Sequence, residues 1–422
     1  MARVFLHVGA SRIVPVSPLR DGKTRGFRAP PFLRTKTNPP EAAARYLARK
    51  ESPRVPAVVC EVGWVNGLAA IRSLGRAEIP VVAVDYRDSA LGFRSSYAFP
   101  VEAPDPIEDE PGFVEAMRRL GAAIGRSAPI FPTHDEHLNA LARNRAELGE
   151  RFLYPFPGWE LLAGLQSKRS QLEAAEKMGL SVPKTFHPRS FAEVGAAAAE
   201  TGYPLLLKPS DNVLFKRLYR RQAFICRGPE ELQVAYEQTA GHEPMLQELI
   251  PGGADRLWTL GAYVAGDGTV LATFCGRKLQ QTADSVGTAR IGESVWDAEV
   301  VESGLAFLRE LGFHGIAQVE WKRDPRDGKL KLMEVNPRLW QWHGLASACG
   351  ADVVLAAYWD LVGERRAPVS SQSCHKRWSI SLLPGQAPAF ERPPYSDAVF
   401  AADDPKPALV NVARYALRAI GR

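Results

Sequence analysis

Glu320-Trp-Lys-Arg-Asp-Pro-Arg-Asp-Gly-Lys-Leu-Lys-Leu-Met-Glu334-Val-Asn336-Pro-Arg338 reads as two strands joined by a turn. Asp324-Pro325 and Asp327-Gly328 carry turn chemistry, and apolar residues alternate on either side. A turn centred near residue 327 places Glu320 opposite Glu334, and the two-residue period of a strand puts Asn336 on the face of Glu334. Unit like charges about 4 Å apart repel by roughly 4 kcal/mol at an effective dielectric near 20. A divalent cation between them removes that penalty, and an all-oxygen donor set suits Mg²⁺ or Mn²⁺. The competing reading is an exposed hairpin whose acids face water.

The chain has 422 residues, long enough for two or three cores. Its 45% hydrophobic and 24% charged content is that of an ordinary globular protein. No apolar run approaches the roughly 18 residues that span a bilayer, and no leader pattern opens the sequence. The five cysteines (Cys60, Cys226, Cys275, Cys349, Cys374) show no CxxC spacing, so reduced thiols in a cytoplasmic protein are expected. The net charge of +6 is uneven: residues 1–54 hold twelve Lys/Arg against three Asp/Glu. The positive balance therefore belongs to an N-terminal arm, and no nucleic-acid-binding motif accompanies it. The arm is expected to be poorly ordered.

Folded pattern is expected from Val55. Val55–Cys60, Asn66–Arg76 and Pro80–Asp85 follow the strand–helix–strand order of a parallel α/β unit. Pro129–Pro132 reads as a further strand that leads through Thr133, as N-cap, into a helix over Asp135–Leu148. The loop Glu61-Val-Gly-Trp-Val-Asn-Gly67 is not a dinucleotide fingerprint, and its glycines suit turn geometry. A second block opens near Ser167, with capping boxes at Ser170-x-x-Glu173 and Ser190-x-x-Glu193. Pro204-Leu-Leu-Leu-Lys208-Pro209 is an apolar strand with a lysine near its exit. Its ammonium must reach a counter-charge or water. A glycine-free basic loop with Lys216, Arg217, Arg220 and Arg221 follows it. Met245–Ile250 forms a strand closed by Pro251-Gly252-Gly253, with Asp255 beyond it.

An apolar strand ending in Lys208-Pro, then Gln247-Glu-Leu-Ile-Pro-Gly, then Glu320…Glu334-Val-Asn336-Pro-Arg338, resembles the ATP-grasp superfamily in order and spacing. Within it, the chain is similar to carboxylate–amine ligases of the D-aspartate ligase type over roughly residues 55–365. The resemblance implies an α/β and α+β architecture, in which a small open parallel α/β pre-ATP-grasp domain precedes a two-lobed ATP-grasp domain. The expected divisions are 1–54 (arm), 55–165 (pre-ATP-grasp domain), 166–365 (ATP-grasp domain) and 366–422 (Pro-rich tail with a short helix near Val410–Ile420).

The same resemblance implies roles. Lys168 and Lys208 would contact ATP phosphates, Glu248, Leu249 and Ile250 would line the adenine, and Asp255 would hold the ribose. Glu320, Glu334 and Asn336 would bind Mg²⁺ (or Mn²⁺), and Arg338 would stabilise the transferring phosphoryl group. Lys278 and Arg338 are the expected catalytic residues; Arg277, Arg290, Trp340, Trp342 and His343 are further candidates for the acceptor pocket. The implied activity joins a carboxylate to an amine through an acyl-phosphate, with ADP and phosphate released. Small-molecule carboxylate and amine substrates are the expected partners, without nucleic acid or membrane, and a homodimer is compatible with the sequence. The alternatives are an ATP-grasp carboxylase-type or acid–thiol ligase and an inactive nucleotide-binding regulator. The absence of a biotinyl Met-Lys-Met context ranks the carboxylase lower.

Overall fold

The computed structural model describes residues 35–209, 223–239, 241, 244–281, 287–380 and 395–420. The basic loop at 212–222 therefore lies outside the described residues, as do most of the arm and residues 381–394.

A parallel sheet forms from β1 (Ala57–Cys60), β2 (Val81–Asp85), β3 (Ala98–Glu102), β4 (Ala128–Pro132) and β5 (Phe152–Leu153), in which the central apolar runs β1, β2 and β4 are buried on both faces and the outer strands only in part. The order is β3-β2-β1-β4-β5. Strand order thus reverses between β1 and β4, and in open α/β sheets ligands bind beyond the carboxyl ends of the strands at such a switch point. The loops leaving β1 and β4 hold Glu61–Trp64 and Thr133–His134, and Asp135 opens the helix that follows. Gly67 serves close approach here and not a turn: a Cβ there would lie 2.6 Å from Val62 Cα, whereas a Cβ on Gly63 would meet only the flexible end of Arg87. Thr133 does not cap the next helix. Its hydroxyl donates to the Glu61 carbonyl at 2.6 Å, and the helix over Asp135–Arg143 starts after His134.

A second, four-stranded sheet comprises β6 (Thr185–Phe186), β7 (Leu205–Pro209), β8 (Phe224–Cys226) and β9 (Pro244–Glu248), in the order β6-β9-β7-β8. The helices Phe191–Thr201 and Pro229–Thr239 share its apolar core. Ser190 caps the first of these by accepting from the Glu193 N–H. The capping expected at Ser170 falls instead on Ser167, which accepts from Ser170 N–H at the start of the helix Lys168–Lys177.

The third sheet contains β10 (Leu257–Val264), β11 (Val270–Gln281), β12 (Ala289–Ser294), β13 (Gly315–Arg323), β14 (Leu330–Asn336), β15 (Val369–Ser370), β16 (Arg377–Ser379) and β17 (Tyr395–Asp397). Its order is β14-β13-β10-β11-β12-β16-β17, with β15 on β11. The opening hairpin is β13–β14, and Glu320 does pair with Glu334. A register shift beside that pair makes Leu332 the partner of Trp321, so Met333 is an extra residue. Strict alternation would put Leu330 and Leu332 on the face of Glu334 and Asn336. The bulge lets Leu332 and Val335 both bury against the helix Ala298–Glu310, while Met333 and Glu334 both line a cleft.

Both chain ends depart from expectation. Residues 35–54 are not a loose arm: Ala42–Lys50 is a helix, Tyr46 stacks on Phe99 at 4.7 Å, and Asn38 bridges to Val101. The tail carries the expected helix, at Lys406–Ile420, but it also supplies the strands β15, β16 and β17, which were not expected. Arg72, buried in the first domain, donates to Asp404 Oδ2 at 3.0 Å and to the carbonyls of Val399 and Asp404 at 2.8 Å each. One apolar core includes Val59, Trp340, Tyr358, Trp378 and Val399, and so runs across the expected boundaries at 165 and 365. The cysteine expectation also fails for one pair. Cys349 and Cys374, with Cα atoms 5.5 Å apart, form a disulfide, while Cys60, Cys226 and Cys275 are free and buried. Cysteine usage is therefore no argument for a reducing compartment. Among the described residues no helix is long and apolar enough to cross a membrane.

Candidate active site

Four lysines and two glutamates line the cleft between the second and third sheets. Lys208 leaves the end of β7, Lys278 stands on β11, Glu320 and Lys322 on β13, Glu334 on β14, and Lys168 opens a helix. Leu206, Leu249, Ile250, Leu257 and Met333 give this part of the cleft apolar walls. Cations therefore sit beside a hydrophobic slot, a combination that suits a phosphorylated ligand with a planar apolar group.

The charged groups hold one another in place. Lys278 Nζ lies 2.7 Å from Glu320 Oε1, and Lys168 Nζ lies 3.8 Å from Glu334 Oε1. Gln318 donates to Glu320 Oε1 at 2.9 Å and accepts from Asn336 Nδ2 at 3.2 Å, so one amide links two of the expected metal ligands. Lys208 donates to Gln247 Oε1 at 2.8 Å. Burial, and then neighbouring Lys168, push the Lys208 ammonium down to about 7. Burial pushes the Glu334 carboxyl up, but Lys168 and Arg338 outweigh it and hold the group below its ordinary value. Lys322 donates to the carbonyls of Ile250 at 2.8 Å and Gly252 at 3.0 Å, which fixes the segment between the two sheets.

Arg338 follows β14 and forms a two-pronged pair with Asp135 of the first domain, at 2.6 and 2.9 Å. Its Nη2 also reaches Asn336 Oδ1 at 3.3 Å. Burial would lower its pKa, yet the Asp135 carboxylate raises it, so the guanidinium stays charged. The cleft continues past Arg338 into the switch-point crevice, and Glu334 lines every part of it.

Lys168, Lys208, Leu249, Ile250, Lys278, Glu320, Glu334, Asn336 and Arg338 are thus brought together. Glu248 and Asp255 are not. The Glu248 carboxylate turns away to Arg326, Lys331 and the Lys184 N–H, because residues on a strand alternate and its neighbour faces the cleft. Asp255 stands on an exposed turn beside Arg256. Arg277 pairs with Glu293 at 2.6 Å, and neither it nor Arg290 lines the cleft. Trp340 and Trp342 pack on Phe274 and floor the cleft from the core. His343 is buried, with Nε2 2.9 Å from the Asn66 carbonyl. Sequence reading missed Asp135 and Gln318. Gln318 was findable as the residue two before Glu320, but Asp135 becomes a partner only through the fold.

Among the described residues no cluster of three or more His, Cys, Asp or Glu side chains suits a metal ion. The donor set is two carboxylates and an amide. That fits Mg²⁺, which commonly takes one or two carboxylates and completes its shell with water and substrate phosphates.

No protein-family model matches the chain. It is 28% identical over 290 residues to D-aspartate ligase of Enterococcus faecium, covering 65% of this chain and 68% of that protein. It is 26% identical over 186 residues to the carbamoyl phosphate synthase large chain of Pasteurella multocida, of which it spans only 17%. The L-amino acid ligase of Bacillus licheniformis superposes with a TM-score of 0.55 over 76% of each chain at 15% identity, a likeness of fold.

Proposed function

We propose that this chain, a member of the ATP-grasp superfamily, is an ATP- and Mg²⁺-dependent ligase that joins a carboxylate to an amine. The observation that carries the reading is the cross-strand pair Glu320–Glu334, set among Lys168, Lys208, Lys278 and Arg338 at the junction of two clefts. The 28% identity to D-aspartate ligase supports the same class.

Leu249 and Ile250 would hold the base in the apolar slot, and Lys168 and Lys208 would bind phosphate oxygens. Glu320, Glu334 and Asn336 would hold Mg²⁺, which when bound neutralises phosphate charge. Phosphoryl transfer needs positioning and charge compensation more than covalent help from protein groups. A substrate carboxylate oxygen attacks the γ-phosphorus, the bond to the β–γ bridging oxygen breaks, and ADP leaves with the electron pair. Arg338 and Lys278 would compensate the charge on the transferring group. The amine, after losing a proton, then attacks the acyl carbon; a C–N bond forms and the C–O bond to phosphate breaks. Activation is required because a free carboxylate is a poor electrophile.

Hydroxylamine tests this reading, since it intercepts acyl-phosphates as coloured hydroxamates. ATP, Mg²⁺ and pooled amino acids or small carboxylates should give ADP and hydroxamate in equal amounts. Failure of every carboxylate to raise ADP release would refute the ligase reading.

A further inference from the structure

A cleft of about 530 Å³ extends from Arg338 into the crevice beyond the carboxyl ends of β1 and β4. Its charge is opposite to that of the nucleotide end. Glu61, Asp105, Asp135, Glu136 and, at the inner end, Glu334 line it against the two guanidinium groups of Arg87 and Arg338. Both guanidinium groups already donate to carboxylates, Arg87 to Asp85 at 2.9 Å and to Glu61, and Arg338 to Asp135 at 2.6 Å.

The hydrogen-bond deficit lies on the acceptor side. Asn66 is 4% exposed and lines the cleft. Its Nδ2 donates to the Thr133 carbonyl at 3.0 Å, which fixes the amide's orientation, and its Oδ1 has no partner. A buried acceptor without a donor is costly unless a ligand supplies one. His137, 3% exposed, also lines the cleft with Nδ1 unpartnered, and burial keeps its ring neutral. Glu61 sits at the rim in a left-handed conformation (φ 62°), rare for a residue with a side chain. Backbone of this kind collects at functional sites, where the surrounding fold holds it in place.

We infer that this switch-point cleft is the binding site for the amine substrate, which it recognises as a primary ammonium through Asn66 Oδ1 and the surrounding carboxylates. The inference rests on the ligase reading and adds to it an assignment of the two ends: phosphates on the lysine side, ammonium on the acid side, and the activated carboxyl between them at Glu334 and Arg338. An anionic ligand here would meet five carboxylates against two guanidinium groups that are already paired. An ammonium displaces nothing and satisfies an orphaned oxygen.

The probe is 1,4-diaminobutane, tested against hydroxamate formation by the full chain with ATP, Mg²⁺ and the best carboxylate from the pool. At neutral pH hydroxylamine is uncharged, whereas the diamine is cationic. The diamine should compete with hydroxylamine, and its inhibition constant should rise at least tenfold in Glu136→Lys and severalfold in the milder Glu136→Gln. Melting curves establish that both variants fold. No inhibition by the diamine, or equal inhibition of parent and variants, overturns the assignment while leaving the ligase reading intact. Absence of hydroxamate with every carboxylate removes the ligase reading, and this inference with it.

Discussion

Replacing Glu334 by Gln removes one charge from the residue that lines the whole cleft, with little change in shape. Its nearest cation is Lys168 Nζ at 3.8 Å. A bare pair at that distance is worth about 4 kcal/mol at an effective dielectric near 20. The two side chains are 17% and 32% exposed, so solvent screening leaves about 1 kcal/mol of stability. The melting temperature of a cooperative chain of 422 residues should therefore fall by only about 1 °C. Catalysis should suffer far more, because one of the two carboxylates proposed to hold Mg²⁺ is lost: ADP release should drop by at least about 100-fold, or roughly 2.7 kcal/mol. Binding gives an independent readout. With one fewer anion beside Lys168, Lys208 and Arg338, metal-free ADP should bind the variant more tightly than the parent, and Mg·ADP less tightly. Calorimetry with and without Mg²⁺ measures both. Turnover within threefold of the parent in a folded variant refutes the metal assignment, and unchanged metal dependence of binding refutes the electrostatic argument.

Burial depresses the Lys208 ammonium to about 7 from its ordinary 10.5, so between those values the unfolded chain holds a proton that the folded chain lacks. The contribution of this group to stability should rise with pH across that window; unfolding in denaturant at pH 7 and pH 9 should show the rise in the parent and its loss in Lys208→Met. Asp404→Ala strands the buried Arg72 guanidinium, which keeps two carbonyl acceptors, and should cost about 3–5 kcal/mol. Recovery of most of that loss in Arg72→Met/Asp404→Leu, read by denaturant titration, checks the cause. The disulfide Cys349–Cys374 closes a loop with a sequence separation of 25. Its removal by Cys374→Ser should cost about 3 kcal/mol, and denatured, unreduced protein should titrate three thiols.

Much of the architecture was legible from local pattern. Val-rich runs between helical segments announced a parallel unit, and Asp324-Pro325 with Asp327-Gly328 announced the hairpin that sets Glu320 against Glu334. Both signals are short-range: turn chemistry and alternation act over a few residues, so the chain states them directly. The bulge at Met333 was less visible, because alternation alone cannot report an inserted residue. Residues 395–408 carry no clean period, yet Val399 and Ala408 bury in the core and Asp404 anchors Arg72.

The local order of residues decided that this chain makes an α/β unit followed by two mixed lobes, and that two acids and an amide from the two strands of one hairpin come together. Only the tertiary structure decided that Cys349 meets Cys374, that Glu248 turns from the cleft, and that Asp135 clasps Arg338 across 203 positions. It likewise left Asn66 Oδ1 without a donor in an acid-lined crevice. Faces and turns arise from backbone periodicity, which neighbouring residues reveal. Pairings between distant side chains arise from how sheets pack, and no spacing along the chain encodes the distance between them.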